Sequence, residues 1–193
     1  MSIRHGLLAL LAQGPRYGYQ LRAEFESSTG STWPLNIGQV YSTLSRLERD
    51  ELVLRGDADE EGRFVYSITA EGTAEVRHWF ATPVERTDRP RDELAIKLAM
   101  AVTTPGVDVA DVVQTQRTAT LRALQDLTRL KAGASAAPAD PGEQAWRLVL
   151  ESMVFHAEAE VRWLDHCESF MVRVTPPARP AAAPADAPKE ARR

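Results

Sequence analysis

The chain has 193 residues, 44% hydrophobic and 26% charged, which is the balance of a globular fold with room for one domain or a small domain with an extension. No apolar run approaches the ~20 residues that span a bilayer, Leu7 to Ala12 is too short and too soon cut by Gly14-Pro15 to be a signal peptide, and one cysteine, Cys167, excludes an internal disulfide framework. The formal charge of −4, with eight Arg, no Lys and eleven Asp or Glu among residues 1–82, excludes nucleic-acid binding by bulk charge, so any such binding must come from a local arrangement of Arg. A cytoplasmic location and no membrane partner are expected.

Ser2 is placed to cap a first helix with Ile3, Leu7, Leu10 and Leu11 at helical spacing, ended by Gly14-Pro15. Gly18-Tyr19 opens a second, with Leu21 and Phe25 one turn apart. After the breaks at Thr29-Gly30 and Trp33-Pro34, Asn36 stands as an N-cap with Gln39 three residues on, close to a capping box. The third helix then carries Ile37, Val40, Tyr41, Leu44 and Leu47 on one stripe, the pattern of a single buried face. From Leu52 the period changes to that of strands. Leu52 to Arg55, a polar turn from Gly56 to Gly62, and Arg63 to Ile68 with Phe64, Tyr66 and Ile68 on one face make a hairpin. Thr69 caps a fourth helix that buries Val76, Trp79 and Phe80.

Three helices followed by a hairpin predict a winged helix-turn-helix over residues 1–82. Its third helix suits a major groove, and its polar face holds Gln39, Ser42, Thr43 and Arg46, with Arg49 at its edge. Gln and Arg can make paired hydrogen bonds to adenine and guanine edges, and Ser and Thr can reach phosphates or bases. The helix N-terminus near Asn36, Ile37 and Gly38 suits a phosphate, and Gly38 allows close approach of backbone. Arg55 and Arg63, on the two strands of the wing, point to the sugar-phosphate backbone or minor groove. Tyr41 lies on the core stripe and is as much a packing residue as a phosphate contact.

The segments YGYQL at 17–21, IGQVYSTLSRLERDELV at 37–53 and GRFVYSITAEG at 62–72 together resemble the PadR family of bacterial transcriptional regulators. The most specific part is Tyr41-x-x-Leu44-x-x-Leu47-Glu48, then Leu52-Val53, then Tyr66-x-x-Thr69-x-x-Gly72. From RDELAIKLAMAV at 91–102 to about residue 172 the chain is similar to the helical C-terminal extension of longer members. The resemblance implies a dimeric regulator, usually a repressor, released by a small molecule or another signal. It also implies DNA contacts at Tyr17 and Tyr19, at Gln39, Tyr41, Ser42 and Thr43, and at Arg63. The wing tip departs from the pattern, because Asp57, Asp59, Glu60 and Glu61 would repel phosphates there.

Residues 90–172 read as a helical dimerisation and effector domain. A fifth helix, Asp92 to Val102, aligns Leu94, Leu98 and Val102; a sixth runs from Val109 to Lys131; a seventh starts near Pro141 and continues for ~30 residues. The apolar stripe of the seventh, with Trp146, Leu150, Met153, Ala157, Val161 and Leu164, needs a partner, and a two-fold homodimer is the commonest solution. Residues 173–193 form a Pro/Ala-rich tail with too few apolar groups to order itself. The expected fold class is therefore mainly α with a small β-hairpin wing.

His156, His166 and Cys167 lack metal-ligand spacing, and no nucleophile, Walker or Rossmann pattern occurs, so neither an enzyme nor a cofactor is expected. The expected partners are double-stranded DNA bearing a pseudo-palindromic operator, a second copy of the chain, and a small-molecule effector of unstated identity. The competing reading is a winged-helix protein-interaction module whose acidic half docks a basic partner.

Overall fold

The computed structural model describes residues 3–84, 92–134 and 140–174, with side chains to residue 171. In chain order the elements are α1 (Ile3–Leu11), β1 (Arg16–Tyr17), α2 (Gly18–Ser28), α3 (Ile37–Arg49), β2 (Val53–Ala58), β3 (Phe64–Ile68), α4 (Ala70–Ala81), α5 (Glu93–Thr103), α6 (Val109–Gly133) and α7 (Pro141–Val174). The proposed Ser2 cap and nearly all of the tail lie outside the described residues. No described helix is long and apolar enough to cross a membrane.

The first core forms around α1. Leu7, Leu8 and Leu11 lie wholly inside, against Leu21 of α2, Val40, Leu44 and Leu47 of α3, and Val53 of β2. His5 ties α1 to α4: its ring stacks on Trp79 with centroids 5.3 Å apart, and its Nε2 lies 2.8 Å from Glu75 Oε1. The sheet has three antiparallel strands in the order β1-β3-β2, so the wing is a hairpin backed by a third short strand. β2 also runs further than its sequence suggests. Its register slips between Arg55, opposite Tyr66, and Ala58, opposite Phe64, so Gly56 and Asp57 form a bulge.

Several apolar side chains sit elsewhere than their spacing predicts. Ile37 and Tyr41 are exposed, because the buried face of α3 centres on Val40, Leu44 and Leu47 and these two flank it. Phe80 is 69% exposed at the end of α4, with its ring 4.7 Å from that of Trp79, and Val102 is exposed on α5.

Two helix ends close in the same way. Past α2, Ser31 N–H reaches Glu26 C=O at 2.7 Å and Gly30 N–H reaches Ser27 C=O at 3.1 Å. Past α3, Leu52 N–H reaches Leu47 C=O at 2.9 Å and Glu51 N–H reaches Glu48 C=O at 3.0 Å. Both are Schellman closures, which place one residue in the left-handed region. Gly30 takes it at φ +55° without penalty and is followed by Ser31, also at φ +55°, whereas Glu51 takes it at φ +59° with a Cβ.

In the second half α6 and α7 form an antiparallel hairpin. The buried Thr120 hydroxyl donates to the Glu160 carboxylate, which also accepts from Gln116 Nε2 at 2.9 Å, and Arg117 pairs with Asp165 at 2.6 Å. Leu98, Val113 and Leu164 make a small core where α5 joins the pair. Glu51→Gly is expected to raise the free energy of unfolding by about 1 kcal/mol, since it removes the left-handed strain and no core contact. Urea denaturation checks this; a lower stability would mean that the Glu51 side chain contributes more than its backbone costs.

Candidate nucleic-acid interface

Burial of Val40, Leu44 and Leu47 turns Gly38, Gln39, Tyr41, Ser42, Ser45, Arg46 and Arg49 outward. The first turn of this helix is already capped by side chains of the chain itself. Asn36 Oδ1 accepts from Gly38 N–H at 2.8 Å, and Gln39 Oε1 folds back to accept from Asn36 N–H at 3.4 Å. The Gly38 amide is thus not open to a phosphate unless Asn36 yields it. Ser42 and Thr43 donate their hydroxyls to Gln39 C=O, at 3.0 and 2.7 Å, and present their remaining lone pairs outward.

Ser45 belongs to this face and is absent from the residues singled out by sequence. It lies one turn beyond Tyr41, donating to its carbonyl at 3.0 Å. The signal that would have found it is the spacing Gly38, Tyr41, Ser42, Ser45, Arg49, which becomes an outer stripe once Tyr41 is taken off the core. Tyr41 itself is 44% exposed, its ring lying over Gly18 at the start of α2, where a Cβ would come within 2.7 Å of it.

The arginines differ sharply in their engagements. Arg49 pairs with Asp50 at 3.0 Å, which Arg4 also holds; hydrogen bonds from Arg4 and then Arg49 keep the Asp50 carboxyl below its usual range. Arg55 is 3.7 Å from Glu48 and lies over the Phe64 ring at 4.5 Å. Arg46 is exposed and makes no ion pair among the described residues.

The wing contains a tighter assembly. β1 sets Tyr17 opposite Val65, and its ring stacks on Tyr19 with centroids 5.7 Å apart. The Arg63 guanidinium lies over both, 5.1 Å from Tyr17 and 5.9 Å from Tyr19. Asp59 builds the turn beneath it, accepting from Glu61 N–H at 3.0 Å, from Arg63 N–H at 2.8 Å and from Arg63 Nε at 2.9 Å. The bond from the Arg63 main chain is the largest cause of a lowered Asp59 carboxyl. Burial, and then its hydrogen bond with Asp59, pushes the Tyr17 phenol up. The acidic wing tip is therefore not simply repulsive, because two of its carboxylates face Arg63.

The stripe assigned to a second copy is occupied within the chain. Leu150 and Leu164 of α7 are fully buried in the single protomer, Leu164 in the core with Leu98 and Val113. Trp146 lies against Gly30, where a Cβ would come within 2.1 Å of the indole, and Thr32 Oγ1 is 4.0 Å from Met153 Sδ. Ala157 and Val161 are half-buried. That face of α7 holds α6 and the loop after α2; the outer face carries Leu148 and Phe155, 70% and 65% exposed. No group of three or more metal-ligating side chains occurs among the described residues, and burial raises the Cys167 thiol, the opposite of a reactive thiolate.

Asn36→Ala is expected to lower the free energy of unfolding by about 1 kcal/mol, and Asn36→Asp to keep most of it, because either oxygen can cap the Gly38 amide. Thermal melts of the two variants check this; equal losses would show that the cap does not hold α3.

Residues 7–78 match the transcriptional regulator PadR-like family, and residues 90–171 match the virulence activator alpha C-terminal family. Rv1176c of Mycobacterium tuberculosis, a probable transcriptional regulator, is 26% identical over 179 residues, covering 86% of this chain and 95% of its own length. Bacillus subtilis PadR in complex with operator DNA superposes with a TM-score of 0.64 at 21% identity, covering 86% of this chain and 96% of that one. The same protein in complex with p-coumaric acid gives 0.67 at 20% identity, covering 88% and 98%. The Vibrio cholerae virulence activator AphA gives 0.66 at 24% identity, covering 90% and 100%. These structures share the winged-helix fold with C-terminal helices. With the two matched in order along one chain, this protein carries a PadR-like transcriptional-regulator domain followed by a C-terminal domain of the virulence activator alpha type.

Proposed function

We propose that the protein is a homodimeric, sequence-specific repressor acting in the cytoplasm, whose residues 1–82 read DNA and whose residues 90–172 dimerise and receive a releasing signal. The observation that carries the reading is Arg46. It is the α3 and wing guanidinium without an ion pair among the described residues, and it stands beside Gln39, Ser42 and Thr43 on an exposed helix face. A domain with an acidic balance must concentrate its positive potential somewhere, and an unengaged guanidinium on a helix that fits the major groove does so. The fold shared with a PadR that binds operator DNA supports the same assignment.

Two copies are needed because one helix reads only a half-site, and two recognition helices ~34 Å apart meet successive major grooves of a pseudo-palindrome. The surface that supports pairing is the outer face of α7, where exposed Leu148, Ser152, Phe155, Ala159 and Arg162 recur at the 3.5-residue spacing of a coiled-coil seam. Antiparallel pairing about residue 157 would set the large Phe155 against the small Ala159 of a second copy. Release by a small aromatic acid is supported by the structure of B. subtilis PadR with p-coumaric acid. In this chain an apolar cavity of about 350 Å³ among α5, α6 and α7, lined by Leu98, Val113 and Trp163, is of a size for such a molecule.

The test is fluorescence anisotropy with duplex from upstream of the protein's own gene and a scrambled duplex. Arg46→Ala is expected to weaken native-duplex binding by about 1–3 kcal/mol, as loss of a bidentate base contact does. Binding that is absent, or indifferent to salt and to Arg46, would instead support protein interaction through exposed Asp57 and Glu60 of the wing. In sedimentation equilibrium Phe155→Glu is expected to give a folded monomer with at least tenfold weaker operator binding. A dimer that survives this change would place the seam elsewhere.

A further inference from the structure

The wing holds a charge arrangement that DNA recognition does not by itself require. Arg63 meets two carboxylates, and they are not equivalent. Asp59 is part of the turn: it accepts two main-chain N–H groups as well as the guanidinium Nε, and it is half-buried. Glu61 does none of this. Its side chain is 67% exposed and reaches Arg63 Nη1 at 2.6 Å as its one ion pair among the described residues. The Tyr17 and Tyr19 rings and Asp59 already fix where the guanidinium sits. Glu61 is therefore a further partner on a guanidinium already held elsewhere, and it occupies the Nη1 donor.

A carboxylate on a guanidinium and a phosphate on a guanidinium are the same interaction, an anion accepting charge-assisted hydrogen bonds from a planar fork. We propose that Glu61 is a built-in competitor for DNA phosphate, which lowers the chain's affinity for any duplex by occupying Arg63. The proposal rests on the DNA-binding reading above and adds the residue that tunes it. Phosphate contacts carry no sequence information. Glu61 consequently restrains the sequence-independent part of binding, while α3 keeps the reading of bases. Because its carboxylate is exposed and held at one end only, a phosphate displaces it by rotation of one side chain, without rebuilding the turn that Asp59 maintains.

The experiment is a double-mutant cycle in full-length protein, with Glu61→Gln, Arg63→Ala and the double variant, read by anisotropy on the native and the scrambled duplex across a salt series. Glu61→Gln is expected to raise affinity for both duplexes by about three- to tenfold and to steepen the dependence of log K on log salt by about 0.9, one further phosphate contact. In the Arg63→Ala background the same change is expected to do nothing. An equal gain in both backgrounds overturns the proposal, since Glu61 would then act by general repulsion. No gain in the wild-type background overturns it as well. Melting curves show whether the turn, held by Asp59, is unchanged. If the wild type binds neither duplex, the DNA-binding reading fails and this proposal with it. If the wild type binds and the cycle shows no coupling, this proposal alone fails.

Discussion

Val40, Leu44 and Leu47 are withdrawn from solvent against the leucines of α1, and that burial decides what the opposite side of α3 can be. A helix has one circumference. Once about a third of it is committed to the core, every other side chain on it is set to within the freedom of its rotamers. α2 and β2 pack on the same cluster through Leu21 and Val53. The helix that carries the polar face, the helix before it and the strand that leads to the wing are thus referred to one apolar centre. The wing has its own reference: β1 and β3 pair, so the Tyr17 and Tyr19 rings and the Arg63 guanidinium are brought together by main-chain hydrogen bonds.

The order of helices and the wing was legible because each rests on a repeated pattern or a cap. Asn36 and Thr69 announce their helices by chemistry that any chain must supply, and both cap as expected. What escaped was whatever depends on a partner distant in sequence. β1 is two residues long, too short to carry a period, and it exists because β3 offers an edge. The seventh helix carries apolar residues on more than one face, and sequence does not say which face the rest of the chain will take; Leu150 and Leu164 are buried within the protomer rather than turned outward. The acidic run at the wing was read as repulsive because net charge is visible in a sequence. The inward turn of Asp59 toward two main-chain amides is not.

Charge is handled by pairing rather than by surplus. Arg4, Arg49, Arg55 and Arg63 each have an acidic neighbour, and the domain's negative balance is spread around them. Long-range attraction to a polyanion is weak under such an arrangement, since opposite charges a few ångströms apart cancel beyond a Debye length of about 8 Å. Close-range contact is a different matter, because a guanidinium can exchange one anion for another at contact distance. A chain built in this way projects little positive potential to a distance and leaves its guanidiniums to exchange partners only at contact.

The joint between the two halves has a mechanical property of its own. Trp146 of α7 rests on Gly30, a residue with no side chain, at the point where α2 ends and the chain turns toward α3. Close-packed side chains have low compressibility and transmit strain across a contact. At Gly30 only one of the two partners, Trp146, has a side chain. A shift of the long helix presses an aromatic plane directly onto main chain, and that main chain leads within a few residues to the Asn36 cap. The long helix therefore meets the N-terminal domain at bare main chain, six residues ahead of the Asn36 cap that starts α3.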